Sequence, residues 1–264
     1  MHANVDTTTL ITGATSGIGR AVAHALAATG RQLLVAGREE TTRERVIDEV
    51  VSRGGRASGV RLDLHDDDLI DDVLERVIAH DGRIELVNAA GTVDVHDVLE
   101  SGGGASGPYA RMLREHFDAP RRLMLGLLPA MLERGGATVH VASAAGLVAY
   151  PRIGAYVTAK HALLGFTRAA ALELEGTRAS VAAVCPYYVD TPMMERGIAG
   201  LAEELGCSLD EARRHFGERN PGGRWIGASE VADAVVELLC PGANGRLVVL
   251  DGGPGRPPNP LHEP

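Results

Sequence analysis

The sequence predicts an α/β domain built on a doubly wound parallel sheet. Short apolar runs alternate with longer amphipathic runs along the chain, which is the order of strands and helices in such folds. The apolar runs are continuous, a pattern typical of strands that are buried on both faces. The length of 264 residues fits one large α/β domain better than two small ones. We therefore expect a single domain, 1–264, with about seven strands and with helices on both faces.

The predicted strands share a short apolar run that is bounded by turn residues. In chain order they span 8–12, 32–36, 57–62, 84–88, 137–142, 180–185 and 246–250. The predicted helices share apolar residues at helical spacing. In chain order they span 17–28, 41–52, 66–80, 109–133, 155–175 and 229–239. The sequence shows no internal repeat and no linker long enough to mark a second domain.

Three segments depart from this alternation. The glycine-rich stretch 101–108 is a flexible loop by composition. The stretch 192–224 interrupts the order just before the last helix and strand. We interpret 192–224 as a substrate loop or lid, with disorder as the alternative, because long irregular insertions in compact domains are of one kind or the other. The proline-rich tail, 254–264, is expected to be an extended arm.

The composition argues against several classes of protein. A net charge of −9 argues against a nucleic-acid partner, which usually requires a basic face. No apolar run approaches the roughly eighteen residues of a membrane span, and the first residues lack the features of a signal peptide. We therefore expect a cytoplasmic protein with no membrane partner. The three cysteines indicate reduced thiols, and the histidines show no metal-ligand spacing, so no metal site is expected.

A single lysine is the most conspicuous feature of the composition. Of the 26 basic residues, 25 are arginine, and Lys160 stands four residues after Tyr156. Lysine has a pKa that burial and neighbours can tune and three donors that can join a proton chain, whereas arginine stays charged. Residues at this spacing share one face of a helix, so the ammonium could lower the pKa of the phenol. The pair is a candidate for acid–base chemistry, with an ordinary surface lysine as the alternative.

The first predicted strand runs into a glycine-rich turn that opens a helix. The turn reads Thr12-Gly13-Ala14-Thr15-Ser16-Gly17-Ile18-Gly19. Glycines allow a tight turn and a close approach of the backbone to a phosphate, and the start of a helix offers free N–H donors. The turn therefore indicates a pyrophosphate site for a dinucleotide.

Two further motifs follow at the ends of later strands. Asn88-Ala89-Ala90-Gly91 ends the fourth predicted strand. Ser143 follows the fifth, and Tyr156 comes 13 residues after it.

These motifs resemble those of the short-chain dehydrogenases/reductases. The family's glycine-rich turn has three residues between its first two glycines, as here, and its Asn-Asn-Ala-Gly motif matches 88–91 except for Ala89. Ser143 with the Tyr-x-x-x-Lys sequence completes the pattern at the usual spacing. The resemblance extends from about Thr8 to Gly253 and implies a Rossmann-like fold that binds a nicotinamide dinucleotide.

The resemblance implies roles for three catalytic residues. In a reduction, Tyr156 would donate a proton to the substrate carbonyl oxygen while hydride arrives from the cofactor. Ser143 would hold that oxygen, and Lys160 would bind the nicotinamide ribose. In an oxidation, Tyr156 would act as a phenolate base.

The resemblance also implies a set of cofactor-binding residues. They are Gly13, Thr15, Ser16, Gly17, Ile18, Gly19, Arg38, Asp63, Leu64, Asn88, Ala89, Ala90, Gly91, Tyr156, Lys160, Pro186, Val189 and Thr191.

The end of the second strand predicts the choice of cofactor. An acidic residue there would bind the adenosine ribose and repel a 2′-phosphate, but Gly37 takes its place and Arg38 follows. A guanidinium suits a phosphate, so the sequence favours NADP(H). NAD(H) stays possible if Arg38 is merely solvated.

Two residues depart from the family pattern. His116 occupies the position of an asparagine that helps to hold a relay water, largely through its main-chain carbonyl. A histidine could keep that carbonyl and add a titrating ring, so we interpret His116 as a fourth catalytic residue. Tyr187 replaces a glycine after the sixth strand, and its ring is expected to face the substrate cleft or to displace the loop.

Aromatic and methionine side chains flank the predicted site. Aromatic residues make up only 3% of the chain, yet four of the five tyrosines fall in these segments. They could line a pocket for a flat or hydrophobic ketone, although core packing or a subunit interface is the alternative for some of them. The predicted substrate residues are Tyr150, Tyr187, Tyr188, Met193 and Met194, to which Trp225 is a possible addition.

The sequence therefore predicts an NADP(H)-dependent oxidoreductase that interconverts a ketone and a secondary alcohol. An NAD-dependent secondary-alcohol or hydroxy-acid dehydrogenase on the same site is the first alternative. A cofactor-binding protein without turnover is the second, motivated by His116 and Tyr187. The resemblance also implies a homo-oligomer, a dimer or tetramer joined through the helices 109–133 and 155–175.

Overall fold

The protein is described by a computed structural model over residues 6–95, 107–253 and 259–260. Its main sheet contains seven parallel strands and one short antiparallel strand. The parallel strands are β1 (Thr7–Thr12), β2 (Gln32–Gly37), β3 (Arg56–Arg61), β4 (Arg83–Asn88), β5 (Gly136–Val141), β6 (Ala179–Pro186) and β9 (Arg246–Leu250). The antiparallel strand is β10 (Asn259–Pro260), and a separate two-stranded ladder pairs β7 (Val189–Asp190) with β8 (Ile226–Gly227).

Nine α-helices lie within the described residues. They are α1 (Gly17–Leu26), α2 (Glu40–Ser52), α3 (Asp67–Ile78), α4 (Pro108–Leu113), α5 (Ala119–Arg134), α6 (Gly154–Glu173), α7 (Pro192–Leu205), α8 (Leu209–Glu218) and α9 (Ala228–Leu238). A π-turn, Arg114–Asp118, joins α4 to α5, so that the two form one long interrupted helix. None of the helices in these ranges has the length and hydropathy needed to cross a membrane.

The strand order confirms the predicted doubly wound sheet. The order is β10-β9-β6-β5-β4-β1-β2-β3, so the chain starts near the middle and winds outward in both directions. One buried cluster includes Val22 of α1 and Val235 of α9, and another includes Val73 of α3 and Leu123 of α5. The two clusters lie on the two faces of the sheet, as expected for strands without a polar face.

The predicted strands all occur, with ends that differ by at most one residue. The predicted helix 109–133 occurs as α4, the π-turn and α5. The stretch 192–224, predicted as an irregular insertion or as disorder, contains α7 and α8. A sequence signal for α8 was present: Ser208 and Glu211 form a reciprocal capping box at its start.

Part of the two remaining predicted segments lies outside the described residues. The predicted flexible loop, 101–108, is described only from residue 107 onward. Of the predicted arm, 254–264, only the backbone of β10 is described.

Candidate active site

The predicted site residues gather at the carboxyl ends of the central strands. The glycine-rich turn follows β1, the segment 88–91 ends β4, Ser143 follows β5, and the loop 187–191 follows β6. Parallel strands place these four ends at one edge of the sheet, which is where ligands bind in doubly wound folds.

The glycine-rich turn is tied to the segment after β4. The Thr12 hydroxyl oxygen accepts hydrogen bonds from the backbone N–H groups of Ala89 and Ala90, both at 3.1 Å. Gly13 has φ of 65°, and a Cβ there would lie 2.7 Å from the Ala90 Cα. Only glycine fits such a close approach in the left-handed region. The methyl group of Thr191 lies within 3.4 Å of the Cβ position of Gly17, so the β6 loop closes over the same turn.

The start of α1 suits the pyrophosphate of a dinucleotide. The N-cap residue Ser16 is exposed and its side chain makes no capping hydrogen bond, and the first turn holds no acidic residue. By contrast, Asp66 caps α3 with two hydrogen bonds from backbone N–H groups. The positive end of α1 therefore keeps free donors for a phosphate. The residues present fit the cofactor that the fold implies.

Tyr156, Lys160 and Ser143 come together between α6 and the end of β5. The ammonium of Lys160 donates a hydrogen bond to the Val141 carbonyl at 2.8 Å and lies 5.5 Å from the centre of the Tyr156 ring. Ser143 caps a short 3₁₀ turn, Ala144–Gly146, through a hydrogen bond from the Ala145 N–H at 3.1 Å. This cap fixes the serine side chain beside the tyrosine.

Burial shifts the pKa values of these groups. Burial raises the pKa of Tyr156 to about 12, and a hydrogen bond with Ser143 opposes that rise. Burial lowers the pKa of Lys160 to about 8. The expectation that the ammonium lowers the pKa of the phenol is not met in this structure, because loss of hydration at the Tyr156 hydroxyl dominates. The phenol is therefore neutral at pH 7 and can donate a proton.

His116 lies buried in the π-turn and faces the same cluster. Its Nε2 donates to the Thr92 carbonyl at 2.6 Å, so in the neutral ring Nδ1 is an acceptor, and this buried Nδ1 has no partner among the residues that the structure describes. The ring stands edge-on to Tyr156, with 4.9 Å between the ring centres. Burial, followed by the charge of Lys160, lowers the pKa of His116 well below its usual range.

The π-turn clamps the segment after β4. Glu115, next to His116, accepts hydrogen bonds from the Thr92 N–H at 3.0 Å and the Thr92 hydroxyl at 2.8 Å. A Cβ at Gly91 would lie 2.0 Å from the His116 ring, so only glycine accommodates the histidine there. Two consecutive residues thus hold both backbone groups of Thr92.

Asn88 and His140 form a buried polar pair that the sequence analysis did not identify as a pair. The Asn88 side-chain N–H group donates to His140 Nδ1 at 3.1 Å and to the Pro120 carbonyl at 3.4 Å. The Asn88 Oδ1 and the His140 Nε2 have no partner among the described residues. Burial, followed by the charge of Lys160, lowers the pKa of His140 to about 3. Because the Asn88 amide is hydrogen-bonded to His140 of the neighbouring strand, the cofactor role of Asn88 stays a prediction.

The predicted adenosine end of the site lies beside β2 and β3. Arg38 is exposed, directly after β2. Asp63 and Leu64 follow β3, where the Asp63 carboxylate accepts a hydrogen bond from the His65 N–H at 3.0 Å. Arg43 of α2, which the sequence analysis missed, also reaches the end of β2.

The predicted substrate residues separate into two groups. Tyr150 and Tyr188 lie close together, with 6.5 Å between ring centres. Burial raises the pKa of Tyr150 to about 12, and the phenols of Tyr187 and Tyr188 add to this rise. The Tyr187 N–H donates to the Leu250 carbonyl at 2.9 Å, and its side chain packs against the core cluster that includes Val22 and Val235. Met194 packs against the cluster between α7 and α8, whereas Met193 is 38% exposed.

An aromatic series connects the β6 loop to the helices α7 and α8. Tyr188 packs edge-on against Phe216 at 5.1 Å, and Phe216 lies 6.4 Å from Trp225. The Trp225 ring N–H donates to the Arg213 carbonyl at 3.0 Å, which fixes this ring within the helical pair. Trp225 therefore supports the predicted substrate residue Tyr188 through Phe216.

Asn220 anchors this region, and sequence spacing alone carried no signal for it. Its buried amide accepts from the Tyr188 N–H at 2.9 Å and donates to the Tyr188 carbonyl at 3.0 Å and to the Arg224 carbonyl at 2.7 Å. One side chain thus satisfies both backbone groups of Tyr188, as a neighbouring strand would. No cluster of three or more His, Cys, Asp or Glu side chains that could hold a metal occurs in the part of the chain that the structure describes.

Known proteins resemble this chain over most of its length. Residues 7–200 match the short chain dehydrogenase family. A candidate ketoacyl reductase of Streptomyces coelicolor is 34% identical over 89% of this chain and 90% of its own length. A D-beta-hydroxybutyrate dehydrogenase of Cupriavidus necator is 31% identical over 93% of this chain and 96% of its own. The crystal structure of an actinorhodin polyketide ketoreductase variant with NADPH superposes with a TM-score of 0.87, at 31% identity, over 96% of this chain and 98% of that one.

The fold and these relatives define an oxidoreductase that acts on CH–OH and C=O groups. The chain belongs to the short-chain dehydrogenase/reductase family. The interpretation as an enzyme is thereby confirmed.

Proposed function

We propose that the protein is an NADP(H)-dependent ketoreductase in which Tyr156 is the general acid. The observation that carries the proposal is the cluster of half-buried Ser143 and Tyr156 with buried Lys160, at the same edge of the sheet as an uncapped helix start. A neutral phenol with a raised pKa is a proton donor at pH 7, so the protonation state favours reduction.

The side chains have separable tasks in this proposal. The bound cofactor supplies hydride to the carbonyl carbon. Tyr156 gives its proton to the carbonyl oxygen, which Ser143 holds by a hydrogen bond. Lys160, fixed by the Val141 carbonyl at 2.8 Å, then returns a proton towards the phenolate. Its pKa of about 8 suits this step, because the ammonium can lose and regain a proton near neutral pH.

His116 extends this proton route. Its Thr92 hydrogen bond leaves Nδ1 as a buried acceptor close to Tyr156. We propose that this nitrogen accepts a hydrogen bond from the water that resupplies Lys160. The ring serves as a neutral acceptor, since its pKa lies well below the usual range.

Two observations support NADP(H) over NAD(H). Gly37 ends β2 at the place where an acidic residue would reject a 2′-phosphate, and Arg38 follows it. The structure of a similar protein contains NADPH. The alternative cofactor is NAD(H), and it goes with the alternative function of a hydroxy-acid dehydrogenase, which the similarity to the hydroxybutyrate enzyme favours.

We further propose a ketoacyl compound as the substrate class. The candidate ketoacyl reductase and the polyketide ketoreductase are the observations that favour it. Tyr150, Tyr187 and Tyr188 would flank the acyl chain, with Met193 and Met194 at the start of α7. Such residues give an apolar pocket with few polar anchors.

The domain organisation and assembly complete the proposal. The described chain would act as a single domain with α7 and α8 as its substrate lid. Exposed apolar residues on the long helices, Leu125 and Leu132 of α5 and Leu172 of α6, support a homo-oligomer joined through these helices.

Replacement of Tyr156 by phenylalanine tests the proposal most directly. The phenol oxygen is removed while the ring packing against His116 is kept. We expect kcat for NADPH-dependent reduction of a β-ketoacyl thioester to fall by about 10³-fold, the range of general acid catalysis. The measurement is NADPH oxidation at 340 nm, with cofactor affinity and thermal melting as controls for folding.

Retention of more than a tenth of the activity by this variant would contradict the role of Tyr156. Faster oxidation of 3-hydroxybutyrate with NAD than reduction of the thioester with NADPH would favour the alternative function. Both substrates and both cofactors are therefore assayed with the wild-type enzyme first.

A further inference from the structure

Three arginines without carboxylate partners gather where β2 and β3 end. Arg38 follows β2, Arg61 ends β3 opposite Gly37, and Arg43 lies on the first turns of α2. Within the described ranges none of the three forms an ion pair, although the chain carries a net charge of −9 and pairs many of its other arginines. Guanidinium groups without a carboxylate partner keep their donors for an anionic ligand.

Arg43 is held at this edge by two backbone contacts. Its Nη1 donates to the Gly37 carbonyl at 2.8 Å and to the Arg38 carbonyl at 2.7 Å. These bonds fix the guanidinium at the carboxyl end of β2 and occupy only one of its three nitrogens. The Nε and Nη2 donors stay available, in the fork that matches two phosphate oxygens.

The Arg43 side chain lies against two strand glycines. A Cβ at Gly59 of β3 would lie 3.4 Å from the Arg43 Nε, and a Cβ at Gly37 would lie 3.7 Å from the Arg43 Cγ. The same Gly37 position would lie 2.7 Å from the Thr15 methyl group of the glycine-rich turn. Since Gly37 and Arg61 are register partners and Gly59 is two residues before Arg61, all three face the same side of the sheet. Arg43 therefore lies over the face of the sheet to which the Thr15 methyl group and Arg61 also belong.

We propose that Arg43 is a binding residue for the 2′-phosphate of the adenosine ribose, together with Arg38. The inference rests on the proposed use of NADP(H), and it adds a second guanidinium that is held in place before the ligand arrives. Arg38 is exposed and must be ordered on binding, whereas Arg43 is already fixed by Gly37 and Arg38 carbonyl groups. A preorganised donor loses less conformational freedom on binding, so Arg43 should contribute at least as much selectivity as Arg38.

The competing role for Arg43 is purely structural. In that case its only work is to hold the two carbonyl groups at the end of β2. Loss of the side chain would then disturb the adenosine pocket as a whole, and ligands with and without a 2′-phosphate would be weakened alike. Binding of two small probes separates the two roles without any turnover.

Calorimetric titration with adenosine 2′,5′-bisphosphate and with adenosine 5′-monophosphate provides the test. For Arg43→Ala we expect the affinity for the bisphosphate to fall by about 10–100-fold, as for loss of hydrogen bonds to a charged group. The affinity for the monophosphate should change by less than about twofold. Arg45→Ala is the matched control, because Arg45 is on the same helix and has the same charge but contacts Glu49 at 4.0 Å and not the end of β2. It should leave both affinities unchanged.

Arg43→Lys keeps the positive charge but replaces the planar fork of donors by a single ammonium, and it serves if the alanine variant melts early. We expect it to weaken the bisphosphate alone, by about tenfold. Equal weakening of both probes by either Arg43 variant, or no weakening at all, overturns the inference while leaving the proposed NADP(H) preference intact. Equal affinity of the wild-type protein for both probes overturns that preference and the inference with it.

Discussion

Two buried charged residues at opposite ends of the same sheet, Glu85 and Lys160, differ in the number of their hydrogen-bond partners. Glu85 enters β4 near its amino end and is 1% exposed. It accepts hydrogen bonds from the Thr9 hydroxyl at 2.8 Å, from the Arg31 Nε at 2.8 Å and from the Arg83 Nε at 3.5 Å. Lys160, beside the carboxyl end of β5, is 5% exposed and donates one hydrogen bond within the described residues, to the Val141 carbonyl.

The difference separates structural burial from burial that serves a reaction. A buried charge with a full set of partners keeps its charge and holds its neighbours in place, but it has little freedom to exchange a proton. A buried charge without a counter-charge is destabilised and moves its pKa towards neutrality. The His116 and His140 nitrogens without partners lie at the same end as Lys160. Within the described residues, the end of the sheet that carries the proposed catalytic residues is thus the end at which buried polar groups lack hydrogen-bond partners or counter-charges.

Lys160→Met should produce the largest effect on this contrast. We expect kcat to fall by about 10²-fold or more, because the ammonium that resupplies the proton is lost. Below pH 8 the variant should also be more stable than the wild type, by an amount on the order of 3 kcal/mol, since the folded protein no longer buries an ammonium whose pKa falls from 10.5 to about 8.

The sign of the pH dependence follows from proton binding. Between about pH 8 and pH 10.5 the unfolded lysine binds more protons than the folded one, so wild-type stability gains from Lys160 as pH rises. The stability difference between variant and wild type should therefore shrink to zero across this window. Urea unfolding at several pH values measures it, and a difference that does not depend on pH would break the comparison.

Glu85→Gln should have the opposite pattern. We expect a loss of about 3 kcal/mol in the free energy of unfolding, because Arg31 and Arg83 lose a buried counter-charge. The kinetic constants should stay at wild-type values, since Glu85 is far from the reactive end. Urea unfolding with steady-state kinetics on the same preparation checks both statements. A Glu85 variant with normal stability, or with a raised KM, would remove the distinction between the two ends.

We expect the smallest change in stability for His116→Asn, which tests the comparison at a single buried base. A base whose pKa is lowered by burial costs stability as pH falls below its ordinary value of 6.5. The variant should therefore lose less stability than the wild type between about pH 6.5 and pH 5. His140 contributes a similar cost, so the difference is partial.

His116→Ala is the companion variant for the reaction. It removes the acceptor, and we expect a fall in kcat of about tenfold with a changed pH profile, whereas asparagine should retain more activity. Equal activity of His116→Ala and the wild type across pH 5–9 would eliminate any role of the ring in the proton route.

The fold was predictable because its signals are local and repeated. Seven apolar runs separated by helical periods leave little choice other than a parallel sheet, and all seven strands occur. Ser143, Tyr156 and Lys160 were predictable because their spacing in the chain is itself the geometric requirement, one turn of a helix placed against the end of a strand. The helix α8 was missed although its capping box could be read from Ser208 and Glu211.

Other features could not be read from spacing. Arg43 donates to a carbonyl group at the end of the strand that precedes it in the chain. Asn88 pairs with His140 of the neighbouring strand, 52 residues away in the sequence. The π-turn that turns both Glu115 and His116 towards Thr92 depends on contacts with that segment rather than on helix propensity. These features arise from the tertiary fold, so only the structure makes them visible.

The Asn220 amide has a consequence for how this protein can diversify. Because it pairs with both backbone groups of Tyr188, the chain that leaves the main sheet after Pro186 returns at Asn220 to the backbone of this residue. A segment whose two ends meet at one point can change in length or composition without shifting the strands on either side. On the proposed role of α7 and α8 as the substrate lid, we expect changes of substrate to arise in these two helices while the proposed catalytic residues stay the same.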